Sequence, residues 1–193
     1  MSLSDKAIAD IFLRTSAHRK GHFLLSSGLH SADYLQCALV LEHPAEAEAL
    51  GAHIAEMFRD QRIAAVVGPA LGGILPAYVV ARALGVRAMY CERDKAGAMV
   101  LRRDFQIVPG ERILVAEDVV TTGKSTREVI AALPGPPVIV ACVALADRSG
   151  GVDLGVPLRA AFRASFATYP PEACPLCRDG LPLVKPGSRP GPA

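Results

Sequence analysis

The chain has 193 residues, of which 51% are hydrophobic and 21% charged, a balance that fits one soluble globular domain with a good core. Its net charge of +2 is too mild for a nucleic-acid binder, and 5% aromatic content without Trp offers few stacking platforms, so small anionic ligands are the better expectation. The opening Met1-Ser2-Leu3-Ser4-Asp5-Lys6 lacks the basic and apolar regions of a secretory signal, and a cytoplasmic location is expected.

Ser4 is placed to cap a first helix, with Ile8, Ile11 and Phe12 on one face and an end expected near Gly21. Pro44 suits the first position of a second helix carrying Leu50, Ile54, Met57 and Phe58. Residues 63–81 carry no charge, but Gly68, Pro69, Gly72, Gly73 and Pro76 interrupt them, so a buried strand (63–67), a loop and a helix (74–84) are expected rather than a membrane span. Further strands are expected over 86–91, 112–116 and 137–145, with a helix over 126–133. This alternation predicts an α/β fold with a parallel sheet. The polar stretch 92–110 is too long for an ordinary connection and reads as a lid. After Arg148 the chain reads as irregular, and 185–193 as a flexible tail.

Residues 113–126 concentrate the chemistry. Ile113, Leu114 and Val115 read as a strand buried on both faces, followed by Glu117 and Asp118 and then by Val119-Val120-Thr121-Thr122-Gly123-Lys124-Ser125 opening a helix. Paired carboxylates accept hydrogen bonds from vicinal hydroxyls, and backbone N–H groups over 121–125 converge on an anion at the helix start, which suggests a ribose 5-phosphate site. Gly123-Lys124-Ser125 is also the tail of a nucleotide P-loop. That motif requires glycine where Asp118 stands, and a carboxylate there would repel phosphate. A second glycine-rich turn, 68–73, can bring bare backbone close to another anion, or be a simple tight turn.

The 113–126 segment resembles the phosphoribosyl pyrophosphate loop of type I phosphoribosyltransferases. The segment 21–36 (Gly-His-Phe-Leu-Leu-Ser-Ser-Gly-Leu-His-Ser-Ala-Asp-Tyr-Leu-Gln) resembles the base-binding hood of orotate phosphoribosyltransferases. Asp147-Arg148 and the Tyr-Pro-Pro-Glu-Ala-Cys-Pro-Leu-Cys ending extend the likeness to the shorter bacterial type over nearly the whole chain. The resemblance implies one domain over 1–193, with a hood from about 1–40 plus the C-terminal segment and a core of about 44–147. It implies transfer of ribose 5-phosphate from phosphoribosyl pyrophosphate to orotate, with Mg²⁺ carried mainly by the phosphoribosyl pyrophosphate, and a homodimer. Close rivals are a purine phosphoribosyltransferase and a phosphoribosyl pyrophosphate-sensing regulator that binds nucleic acid.

Carried over residue by residue, the likeness gives Arg93, Glu117, Asp118, Val119, Val120, Thr121, Thr122, Gly123, Lys124 and Ser125 to phosphoribosyl pyrophosphate. It gives Thr121 and Arg148 to orotate, with backbone around Tyr34 and Leu35 bordering the base. Lys95 and Asp118 become the catalytic candidates, Lys95 standing in a lid with Arg93, Arg102 and Arg103. For Arg148 the plainer alternative is an ion pair with Asp147 or Asp153. The chain departs from many relatives in having Leu71 and Gly72 where an aromatic-lysine pair is usual, and Ser26 in place of a lysine, so cations are missing on the pyrophosphate side.

Cys174-x-x-Cys177 has the spacing of half a zinc knuckle, but no second such pair exists, and a metal shared across a dimer, a disulfide or two reduced thiols all remain open. His18, His22, His30, His43 and His53 show no metal-ligand spacing among themselves, and no structural metal is expected.

Overall fold

A computed structural model describes residues 2–25 and 27–186; Ser26 and most of the expected tail lie outside the described residues. Helix α1 (Asp5–Arg14) starts where Ser4 Oγ accepts a hydrogen bond from the Ala7 N–H at 3.2 Å, and it buries Ile8, Ile11 and Phe12. It stops well short of Gly21. The Thr15 hydroxyl donates to the Ile11 carbonyl, Ser16 turns to a φ of 55°, and no apolar residue continues the helical period. Residues 18–24 instead form strand β1 (His18–Leu24), antiparallel to β2 (His30–Leu35).

One turn of helix, α2 (Ala38–Leu41), leads to α3 (Pro44–Glu56), β3 (Ala65–Pro69), α4 (Ile74–Leu84) and β4 (Arg87–Arg93). Pro76 sits in the first turn of α4, where its missing N–H costs nothing, and Gly85 ends the helix at a φ of 71°. The supposed lid is a hairpin, with β5 (Met99–Leu101) folding back on β4. Next come β6 (Arg112–Val120), α5 (Lys124–Ala132) and β7 (Val138–Asp147). The region after Arg148 is more regular than expected: β8 (Leu158–Arg163) joins the sheet beside β7, and β9 (Thr168–Tyr169) pairs with β2 before the short α6 (Pro175–Arg178). The mixed polarity of 158–163 hid β8, because an edge strand has one neighbour and half its surface wet.

The main sheet runs β5-β4-β3-β6-β7-β8, parallel except for β5. From β3 the chain crosses through α4 to β4 on one side, and from β6 through α5 to β7 on the other. Because such crossovers are right-handed, reversing direction puts the two helices on opposite faces. Val66, Leu114 and Ala116 accordingly pack with Ala77 and Val80 of α4, while Val67, Ile113 and Val115 pack with Val129 of α5 and Leu133 just beyond its end. The switch point lies between β3 and β6, and a crevice opens there beyond their carboxyl ends. The hood, β1-β2-β9, is a separate three-stranded sheet.

Candidate active site

Strand β6 does not stop before the two carboxylates but carries them inside its last residues. Successive strand residues point to opposite faces, so Glu117 and Asp118 part company. Glu117, 4% exposed, turns to the α5 side, where its Oε1 accepts from Ser125 Oγ at 2.5 Å and Thr126 Oγ1 at 3.5 Å. Among the described residues no buried side-chain oxygen lacks a partner, so Oε2, which has none, reaches solvent. Burial pushes the carboxyl up to about 7, against the two hydroxyls, which favour the charged form. Asp118 turns to the other side, half-buried, with its Oδ1 accepting from the Val119 N–H at 2.7 Å; burial raises its pKa too.

Between β6 and α5 the turn closes around a cavity of about 200 Å³ lined by Arg93 and residues 119–126. Gly123 takes a φ of 68°, and a Cβ on it would stand 2.3 Å from Leu154 Cδ2, so glycine is favoured by both backbone and packing. It precedes α5 with no side-chain cap, and the first-turn N–H groups and the positive end of the helix dipole meet a cavity of phosphate size. Arg127 braces the turn, donating to the carbonyls of Thr122 at 2.8 Å and Asp153 at 2.9 Å. Arg93 and Lys124 reach the same carboxylate, Glu128, at 2.5 and 3.9 Å, so the cations at the cavity mouth are aligned by an acid. Neither Arg127 nor Glu128 was singled out by the sequence, although Lys124 and Glu128 are spaced i, i+4.

Across the crevice the β3–α4 turn comes against Asp118: a Cβ on Gly72 would lie 3.0 Å from its carboxylate oxygens. Backbone is packed just as tightly behind it, since a Cβ on Gly68 would meet the Gly73 carbonyl oxygen at 2.2 Å. Arg148, just past β7, is anchored by its N–H to the Val120 carbonyl at 2.9 Å. Its guanidinium takes neither expected ion pair among the described residues: Asp147 accepts from the Ser149 hydroxyl and N–H, and Asp153 from the Gly155 N–H. Burial lowers the pKa of Arg148, while Tyr34 and Cys37 act on it in the opposite sense. Tyr34 is raised by burial, with Arg148 opposing and Asp118 adding to the shift. The end of the hood strand β2, Asp118 and Arg148 therefore share one electrostatic neighbourhood.

The hairpin cations differ in how they are occupied. Arg102 and Arg103 lie 3.8 and 3.1 Å from Glu92, and Arg93 donates to the Gly97 carbonyl as well as to Glu128. Lys95, exposed on the tight turn between β4 and β5, forms no ion pair among the described residues and does not line the cavity. The expectation that the histidines stand apart needs correction. His22 and His30 face one another across the hood hairpin, 2.9 Å between ring nitrogens, and Cys174 and Cys177 close on them. Sequence spacing could not disclose this, because partners about 150 residues apart meet only through β9 and the returning C-terminal segment.

The phosphoribosyl transferase domain model matches residues 38–154, which hold the whole crevice. The orotate phosphoribosyltransferase of Heliobacterium modesticaldum is 51% identical over 191 residues, 97% of this chain and 100% of the relative. That of Pelotomaculum thermopropionicum is 54% identical over 185 residues, 94% and 96% of the two chains. Among solved structures, the orotate phosphoribosyltransferase from Aeropyrum pernix matches with a TM-score of 0.69 at 27% identity, over 81% of this chain and 93% of that one. With that likeness spanning hood, crevice and phosphate turn alike, the chain belongs to the orotate phosphoribosyltransferases.

Proposed function

We propose that the crevice between β3 and β6 transfers ribose 5-phosphate from phosphoribosyl pyrophosphate to orotate as follows. The observation that carries this reading is the placement of an uncapped helix N-terminus, a half-buried Asp118 and Arg148, which has no carboxylate partner among the described residues, around one switch-point crevice. The 5-phosphate sits in the turn of Thr121, Thr122, Gly123, Lys124 and Ser125, receiving backbone N–H groups and the charges of Lys124 and Arg93. Beyond Val115 the β3 side of β6 is unpaired, and a ribose lying along that open edge meets both faces: Asp118 accepts from one hydroxyl and Glu117 offers Oε2 to its neighbour. Val119 and Val120 hold the strand end rigid under the sugar.

Orotate enters between the hood and Arg148. The guanidinium pairs with its carboxylate, the Thr121 hydroxyl meets the ring, and backbone near Tyr34 and Leu35 borders its edge. As the C1–O bond to pyrophosphate breaks and the C1–N bond to the base forms, with the ring N–H proton passing to solvent, positive charge gathers on the ribose and negative charge on the leaving oxygens. Asp118 stabilises the first, and Lys95, reaching over from the hairpin, the second. No covalent enzyme intermediate is needed.

The donor set suits Mg²⁺ delivered by the substrate. Asp118 and Glu117 are hard oxygen donors, too few for an all-protein cage but enough for an ion that keeps water and phosphate ligands. When bound, Mg²⁺ would neutralise charge on the departing pyrophosphate. A homodimer is supported by Leu71, Leu75 and Tyr78, apolar yet 85%, 49% and 55% exposed on the β3–α4 turn and the outer face of α4. A cytoplasmic location is also proposed; among the described residues no helix is long and apolar enough to cross a membrane.

The test is the loss of orotate absorbance on adding phosphoribosyl pyrophosphate, with Mg²⁺ and with a chelator, alongside adenine and hypoxanthine and a sizing measurement. Orotate turnover confined to the Mg²⁺ arm, by a particle of twice the chain mass, is the expected result. Turnover in chelator would remove the metal from the scheme, and a monomer active at all concentrations would remove the dimer.

A further inference from the structure

The hood holds a side-chain cluster that orotate transfer does not use. His22 Nε2 and His30 Nδ1 are 2.9 Å apart; Cys177 Sγ is 3.3 Å from His30 Nδ1 and 3.7 Å from His22 Nε2; Cys174 Sγ is 3.6 Å from His22 Nε2. All four ligand atoms lie within 4.8 Å of one another. His22, His30 and Cys174 are 3%, 4% and 1% exposed, and only Cys177 reaches the surface.

The local structure aims these groups inward. Strand β1 slips register against β2 between Lys20 and Phe23, and this bulge lets two consecutive residues, His22 and Phe23, both face inward. His22 Nδ1 stands 2.8 Å from the Leu181 carbonyl oxygen, so it carries the ring proton and donates it there, leaving the Nε2 lone pair directed at the cluster. The turn of α6 brings both cysteine sulfurs to the same histidine pair.

We propose that His22, His30, Cys174 and Cys177 form a closed tetrahedral site for a divalent metal ion of zinc's class, which ties the hood hairpin to the C-terminal segment. Zinc bonds of ~2.3 Å to sulfur and ~2.0–2.1 Å to nitrogen make tetrahedral edges of roughly 3.6 Å between sulfur and nitrogen and roughly 3.3 Å between two nitrogens. Three of the four sulfur–nitrogen distances match that edge to within about 0.3 Å, the fourth, Cys174 to His30, lies within 4.8 Å, and the nitrogen pair needs to open by about 0.4 Å. Four protein ligands leave no open position, so the ion is structural. Two neutral imidazoles with two thiolates favour zinc over magnesium or calcium, which take oxygen ligands.

The hood has a use for such a staple. Phe23, Leu25 and Cys174 are buried, yet none belongs to the three hydrophobic clusters found among the described residues. A three-stranded sheet with so little apolar support gains most from a cross-link. Beyond the metal ligands, the segments are joined by the pairing of Leu24 and His22 with Val184 and of β2 with β9. Metal binding would lock all of them together.

The full-length chain, expressed without a polyhistidine tag and purified reduced and without chelator, should carry about one zinc per chain by elemental analysis. Replacing that metal with Co²⁺ should give the visible bands of tetrahedral cobalt and a thiolate charge-transfer band. Cys177→Ser, at the exposed ligand, should weaken the charge-transfer band by about half and lower metal content, and removing the metal should lower Tm. A metal-free purified chain whose reduced thiols give no tetrahedral cobalt spectrum would overturn the proposal, as would metal binding that Cys177→Ser and His30→Ala leave unchanged. The cobalt spectrum of the unaltered chain decides the matter even if a variant fails to fold. This readout does not depend on orotate transfer.

Discussion

Asp118 and Gly72 face each other across the switch point, the carboxylate filling the space that a side chain on residue 72 would need. Gly72 shows no positive φ, so alanine is tolerated by its backbone, but its Cβ at 3.0 Å would push the carboxylate aside by a few tenths of an ångström. Gly72→Ala should therefore raise the KM for phosphoribosyl pyrophosphate by roughly tenfold with little change in Tm, because misplacing a binding group is costly while the fold is untouched. Steady-state kinetics with a parallel melting curve tests this; equal KM values would show that Asp118 is not a sugar ligand.

Burial holds the Glu117 carboxyl at about 7 rather than the ordinary 4.5. Between those pH values the folded chain binds a proton that the unfolded chain has lost, so this group's contribution is fully present below pH 4.5 and declines until pH 7. The decline amounts to at most about 3 kcal/mol. Glu117→Gln keeps an acceptor for Ser125 but cannot ionise, and its unfolding free energy should fall less between pH 5 and 8 than that of the parent. Parallel pH profiles in denaturant titrations would contradict the assignment.

Arg148 should discriminate between the two substrates. Removing a half-buried charged hydrogen-bonding group costs on the order of 1.5–3 kcal/mol, or about 10–150-fold. In Arg148→Ala that loss should appear in the KM for orotate, with the KM for phosphoribosyl pyrophosphate changed less than threefold. A loss shared equally by both substrates would point to a general structural role.

Among the hairpin cations, Lys95→Ala should lower kcat by about 10²-fold or more if its charge meets the leaving group, the size seen when one transition-state donor is lost. Arg103→Ala, which breaks an exposed pair with Glu92, should alter kcat by less than threefold. Rapid-quench measurement of the first turnover would separate chemistry from product release. Similar kcat values in the two variants would remove Lys95 from the reaction.

The core elements were legible where one physical signal dominated. Helix α4 begins and ends as its Pro76 and Gly85 suggest, and β3, β6 and β7 are apolar runs of the length that a doubly covered strand needs. The crevice motif was legible too, since Glu117 to Ser125 falls at one strand end and one helix start. The parting of Glu117 and Asp118 was missed because strand β6 runs four residues past Ala116, and pleating then sends neighbours to opposite faces. The hood hairpin was missed because His18, Arg19 and Lys20 disguise a strand that has only the small hood sheet for support. His22 and His30 meeting Cys174 and Cys177 is a long-range contact, invisible to any local pattern.

The β4–β5 hairpin also has a mechanical place in the sheet. Cys91, Glu92 and Arg93 pair with Leu101, Val100 and Met99, so the segment bearing Lys95 is what covers the free edge of β4. A shortened hairpin would leave that strand's N–H and C=O groups bare, a template for edge-to-edge association with other chains. Inactivity in a loop deletion would then report lost solubility as readily as lost chemistry, and single substitutions at the tip are the ones that speak to catalysis.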